Sequence, residues 1–228
     1  MARPKGMERS LSADALRRAI GREEFDYVTL VDALKGYARP RAKVTALLRQ
    51  NAIIRVKKGL YVFGPEIRRR PFSPELLANT IYGPSYVSME YALAHYGLIP
   101  EQVNEVTCAS LGRNKRFNTP VGRFSYQAIP ERAFWIGVDR LELEHGAACL
   151  MATREKALAD VIHLARRTNL NSLREMKTYL VSSLRIEEEP LSELDKGRMN
   201  AIAKSYGSRR VSRLAKVLSM IRQEAAHE

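Results

Sequence analysis

The tightest constraint this sequence places on its fold is a change of hydrophobic period between Tyr27 and Phe63. Tyr27, Leu30, Val31 and Leu34 fall at i, i+3, i+4 and i+7, which predicts a helix from about Asp26 to Tyr37 with one buried face, broken near its end by Gly36. Arg39-Pro40 opens another helix running to Gln50, because a proline in the first turn lacks only an N–H that had no partner there. Its buried stripe is Val44, Leu47 and Leu48. Two short β-rich runs follow, Ile53–Val56 and Leu60–Phe63, joined by Lys57-Lys58-Gly59 with glycine supplying the turn. Pieces this short must share one core. An earlier helix, Ala13 to Ile20, is predicted to be capped by Ser12 and ended by Gly21. Helix, turn, helix, hairpin is the order of a winged helix-turn-helix.

Beyond Asp32 the same stretch holds no acid. From Ala33 through Pro65 there is no Asp or Glu, but there are eight basic residues: Lys35, Arg39, Arg41, Lys43, Arg49, Arg55, Lys57 and Lys58. The whole chain of 228 residues carries a net charge of +13, and most of the excess is early. Residues 1–72 hold 17 basic and 7 acidic residues, whereas the remainder holds 21 and 18. A solvated face mixes its signs, so this one suits phosphate. At 100° per residue, the side of the helix opened by Pro40 that faces away from Val44 carries Arg39, Ala42, Lys43, Thr45, Ala46, Arg49 and Gln50, with Arg41 on the flank. A major groove about 12 Å wide admits one helix. Small Ala42 and Ala46 allow close approach to base edges, while Lys57 and Lys58 at the hairpin tip reach flanking phosphates. The predicted DNA-binding set is therefore Arg39, Arg41, Lys43, Thr45, Arg49, Arg55, Lys57 and Lys58.

Two domains are expected, with residues 1–70 as the winged helix-turn-helix plus linker and 71–228 as a mixed C-terminal domain. Residues 1–9 read as a loose basic arm, and Pro65–Pro71, containing Arg68-Arg69-Arg70, as the linker. Beyond it, Ser73-Pro74 starts a helix to about Tyr82, and Ser88 is expected to cap a helix from Met89 to Tyr96. Val103–Ser110, Gly122–Ala128, Phe134–Val138 and Ala147–Met151 read as strands of an antiparallel sheet. Arg113, Lys115 and Arg116 fall in a hairpin loop between strands. From Thr153 onward the pattern is helical, with Glu187-Glu188-Glu189-Pro190 as a solvated loop. The fold class is thus α+β, with an N-terminal winged helix-turn-helix, a C-terminal antiparallel sheet and a helical end.

Several functions lose support. No apolar run reaches the roughly 18 residues that span a bilayer, and no apolar segment follows the basic N-terminus as in a signal peptide. Cys108 and Cys149 sit in apolar surroundings and read as small core residues of a reduced, cytosolic protein. His95, His145, His163 and His227 are scattered singly, so no metal site is expected, and no phosphate-binding glycine loop or nucleophile elbow occurs. Glu155, beside Lys156, is explained by its place at the positive end of a helix. No cofactor and no catalysis are expected. Arg209, Arg213 and Lys216 lie on one side of the last predicted helix, as a solvated face or as a second surface that contacts phosphate or competes for RNA.

Three segments resemble the AbiEi-type antitoxin family, the transcriptional regulators of type IV toxin–antitoxin and abortive-infection systems. Arg55-Val-Lys-Lys-Gly-Leu-Tyr-Val-Phe63 is similar to the family's basic wing. Tyr86-Val-Ser-Met-Glu-Tyr-Ala-Leu-Ala-His-Tyr-Gly-Leu-Ile-Pro-Glu101 resembles its helix followed by Gly-Leu-Ile-Pro, and Glu155-Lys-Ala-Leu-Ala-Asp160 its Glu-Lys-Ala-Leu-x-Asp segment. The resemblance implies a winged helix that represses its own operon by binding inverted repeats in double-stranded promoter DNA. It also implies a C-terminal domain that opposes a nucleotidyltransferase toxin without forming a stable complex with it. The alternatives are a stand-alone winged-helix transcription factor and a nucleic-acid-processing enzyme.

Overall fold

The computed structural model describes residues 13–226; the basic arm at 1–9, the Ser12 cap and His227 lie outside them. The chain is a mixed α+β protein that divides into two compact units. One contains the described residues through Ser73 together with Thr119–Val121, and the other Pro74–Asn118 with the chain from Gly122 onward.

The first unit runs α1 (Ala13–Ile20), β1 (Glu24–Asp26), α2 (Tyr27–Ala33), α3 (Pro40–Arg49), β2 (Ile53–Lys57) and β3 (Leu60–Phe63). The strands form an antiparallel sheet in the order β1-β3-β2. Leu16, Ile20, Phe25, Leu30, Leu34, Val44, Leu47, Ile53, Tyr61 and Phe63 make one core from every element. The short helices are thus held by shared burial, since helices of this length are marginal alone. Asp26 caps α2 by accepting from the Thr29 N–H at 2.7 Å, a bond that also lowers its pKa. The helix stops at Ala33, short of the expected Tyr37.

The supposed linker is not one at its start. Ile67 packs on this core, and Arg69 bonds Asp14 at 2.7 Å. Arg70 lies 3.8 Å from Glu23, whose carboxylate is buried against Arg17. Arg69 and Arg70, in the run read as linker, thus reach acids of their own unit.

The second unit opens with α4 (Pro74–Ile81), β4 (Ser85–Val87), α5 (Met89–His95), β5 (Glu105–Ser110), β6 (Lys115–Thr119) and β7 (Gly122–Ala128). It continues through α6 (Glu131–Phe134), β8 (Val138–Glu142), β9 (Ala148–Ala152) and α7 (Arg154–Leu164). It closes with α8 (Leu173–Thr178), α9 (Glu188–Ser192), α10 (Lys196–Tyr206) and α11 (Arg209–Ala225).

The expectation of an antiparallel sheet is corrected here. The six strands lie in the order β6-β7-β5-β4-β9-β8, with β4–β9 and β5–β7 parallel and β4–β5 and β8–β9 antiparallel. Residues 111–114 carry the chain from β5 past β7 to the edge, and four extended residues reach about 13 Å, enough to cross two strand spacings of about 4.8 Å. Gly112 leaves room there for Tyr82, since a Cβ would fall 2.1 Å from its hydroxyl and force the ring to shift. Lys115 and Arg116, expected in a loop, are exposed on edge strand β6, where charge discourages pairing with another chain. Phe134 ends a helix rather than starting a strand, and Glu188–Ser192 is helical rather than loop.

Candidate nucleic-acid interface

The exposed face of α3 is set by its packing. Val44 and Leu47 are buried and Leu48 half-buried, so Arg41, Thr45 and Arg49 run outward at i, i+4 and i+8, with Ala42 exposed beside them. Arg41, about 20° round the helix from half-buried Leu48, stands exposed on the flank of this face. Arg39 is exposed just before the first turn, which Pro40 opens. Lys43 is half-buried, with Nζ 5.2 Å over the Tyr37 ring, so it belongs to the margin of the face. The Thr45 hydroxyl donates to the Arg41 carbonyl at 3.2 Å, which leaves its oxygen lone pairs for an incoming donor.

The turn from α3 into β2 is fixed by backbone. Asn51 is left-handed at φ 53°, the Ala52 N–H donates to the Leu47 carbonyl at 3.0 Å, and the Gly64 N–H donates to the Ala52 carbonyl at 2.9 Å. A Cβ on Gly64 would lie 1.7 Å from the Asn51 carbonyl oxygen, so the end of β3 can rest on this turn only as glycine.

Arg55 is exposed on β2, and a bulge between Arg55 and Lys57 precedes the tip. Lys57 is half-buried, Lys58 exposed, and Gly59 takes φ 86°. The Gly59 carbonyl accepts from the Tyr27 N–H at 2.9 Å, so the tip is tied to the start of α2. The described acids of this unit, namely Asp14, Glu23, Glu24, Asp26, Asp32 and Glu66, all lie off α3 and the hairpin. The geometry presents a helix face and a strand turn, both cationic, on one small core.

The second unit treats charge differently. Lys156 and Asp160 are wholly buried, with Nζ 3.1 Å from Oδ1. Lys156 Nζ also donates to the Ala133 carbonyl at 2.7 Å and to the Tyr206 hydroxyl at 3.0 Å. Asp160 Oδ2 accepts from the Tyr86 hydroxyl at 2.9 Å and the Ser88 hydroxyl at 2.6 Å, while Tyr206 donates to Oδ1. Ser88 is thus spent on Asp160 and makes no side-chain cap for α5, contrary to expectation. Burial pulls the Lys156 pKa down, opposed by Asp160, and raises those of Tyr86 and Tyr206. Burial also lowers that of His163, whose ring lies 4.7 Å from Tyr206. The segments Tyr86–Glu101 and Glu155–Asp160, read separately in the sequence, meet at this cluster.

Glu155 is buried and accepts from the Asp195 N–H at 2.9 Å, so its role exceeds that of a helix-dipole partner. Cys108 and Cys149 are buried free thiols, the latter pushed up to about 12 by burial. Among the described residues, no three His, Cys, Asp or Glu side chains converge as metal ligands, and no helix is long and apolar enough to cross a membrane. No protein-family model matches the sequence, and no curated protein is significantly similar to it.

Proposed function

We propose that this chain is a DNA-binding transcriptional repressor, with the first unit as a winged helix-turn-helix and α3 as the helix that enters the major groove. The observation that carries the reading is the acid-free face of α3, with Arg41, Thr45 and Arg49 in line, on the same core as the Lys58 hairpin tip. The order α1-β1-α2-α3-β2-β3 around the sheet β1-β3-β2 supports it. In this reading Arg41 and Arg49 contact base edges or adjacent phosphates, Arg39 and Lys43 flank them, and Arg55, Lys57 and Lys58 hold the backbone.

The second half of the proposal is that the repressor is the antitoxin of a type IV system. It rests on the resemblance of the segments at 55–63, 86–101 and 155–160. The protein then acts by binding rather than by catalysis, on its own promoter and against a nucleotidyltransferase encoded beside it. The test is a reporter fused to the sequence upstream of the gene, combined with growth rescue against the neighbouring reading frame. Repression lost in an Arg41→Ala/Arg49→Ala variant that still rescues growth supports both halves. Unchanged repression contradicts the first half, and failure of the wild type to rescue contradicts the second.

A further inference from the structure

We propose that the groove between the start of α8 and the first turns of α11 binds the ribose–phosphate backbone of a single RNA strand. The groove is about 610 Å³ and lies wholly within the second unit. This inference goes beyond the DNA reading and stands without it.

The first turns of α11 carry charge of the wrong sign for their place. No acid occupies its first turn, and Arg209 and Arg210 sit where the helix dipole disfavours cations. Two of the early cations have a structural reason to be there. Arg210 donates to the Ala165 and Thr168 carbonyls that follow α7, and Arg213 donates to the Leu170 carbonyl. Arg209 and Lys216 have no ion-pair partner among the described residues, and both are exposed on the groove wall. The nearby carboxylate, Glu175, is occupied by the Asn171 and Ser172 N–H groups at 2.8 Å each.

The spacing suits a strand. Arg209, Arg213 and Lys216 are separated along the axis by about 6 Å and about 4.5 Å, a scale that lets neighbouring phosphates be met in succession. Between the cations the lining combines Leu173 with Asn171, whose amide already donates to Asn169 at 2.6 Å, and with the Ser208 and Ser212 hydroxyls, which can donate to and accept from a 2′-hydroxyl, the group that distinguishes RNA from DNA. The groove has no aromatic lining residue, so bases do not stack on it and sequence matters little.

The test uses the full chain carrying R41Q/R49Q/K58Q, which removes the cations of the first unit from competition. The probe is a fluorescent oligouridylate, with oligodeoxyuridylate and anionic phospholipid vesicles as parallel arms. Adding R209Q/K216Q should weaken RNA binding by about tenfold at low salt and flatten the slope of log K against log salt by about 1.4, at about 0.7 per lost contact. R209K/K216R should restore the slope. Unchanged affinity and slope in R209Q/K216Q, equal binding of the deoxy strand, or binding of vesicles without RNA would each overturn the proposal.

Discussion

The cations of α3 and the lysine of α7 are the same class of residue put to opposite uses. Arg41, Arg49 and Lys58 stand exposed on elements that carry no carboxylate. Lys156 is dry, and Asp160, the Ala133 carbonyl and the Tyr206 hydroxyl surround its ammonium. A hydrated cation costs the fold little and can be turned toward a polyanion, whereas a buried one is tolerable only while every partner stays in place. Charge on α3 and at the hairpin tip is therefore available for binding. At Lys156 it is locked into the fold.

The contrast can be broken most forcefully at Asp160. Asp160→Ala leaves Lys156 buried without its counter-ion, and such losses cost about 3–5 kcal/mol. Denaturant unfolding followed by circular dichroism should show it, and a loss below about 1 kcal/mol would mean that the pair is solvated. Arg49→Lys asks the converse question in the first unit. It keeps the charge but not the two-pronged donor, so discrimination between promoter and random DNA should fall by about 1–3 kcal/mol with no change in melting. Equal discrimination would mean that Arg49 touches only phosphate.

Lys58→Ala is a gentler probe. Affinity should drop alike for all sequences, and the salt slope should flatten by about 0.9; an unaltered slope would take the hairpin tip off the DNA. The smallest effect concerns His163. Its folded pKa is lowered, so the neutral ring contributes stability that is full above the unfolded value of about 6.5 and is lost as pH falls through the lowered one. The Tm of the wild type should therefore fall more steeply with acidification than that of His163→Gln. Parallel curves would show that the ring is open to water.

What could be read in the sequence follows from the range of the forces involved. α1 was legible from its Gly21 stop, and α3 from its stripe and its Pro40 start, because these signals act within a few residues. The face of α3 was legible for the same reason, though Lys43 was not, since its half-burial depends on Tyr37 in the preceding turn. β1 and β4 are three residues each, too short to show a period. Ser172-Leu-Arg-Glu175 did carry a local signal, a capping box that starts α8. The mixed sheet was illegible because β4 pairs in parallel with β9, at Val87 and Met151, across long intervening chain. The buried cluster was illegible too, because Tyr86, Asp160 and Tyr206 meet only through tertiary packing.

The central claim is that the open face of α3 reads DNA, and fluorescence anisotropy tests it directly. A labelled duplex from the sequence upstream of the gene, and a scrambled duplex of equal length, should be titrated with wild type and with Arg41→Ala/Thr45→Ala/Arg49→Ala at matched salt. All three side chains are exposed, so the variant should keep the wild-type melt to within about 0.5 kcal/mol per site. The wild type should prefer the upstream duplex, and the variant should bind both duplexes equally and weakly. A folded variant that keeps both the affinity and the preference of the wild type would contradict the account.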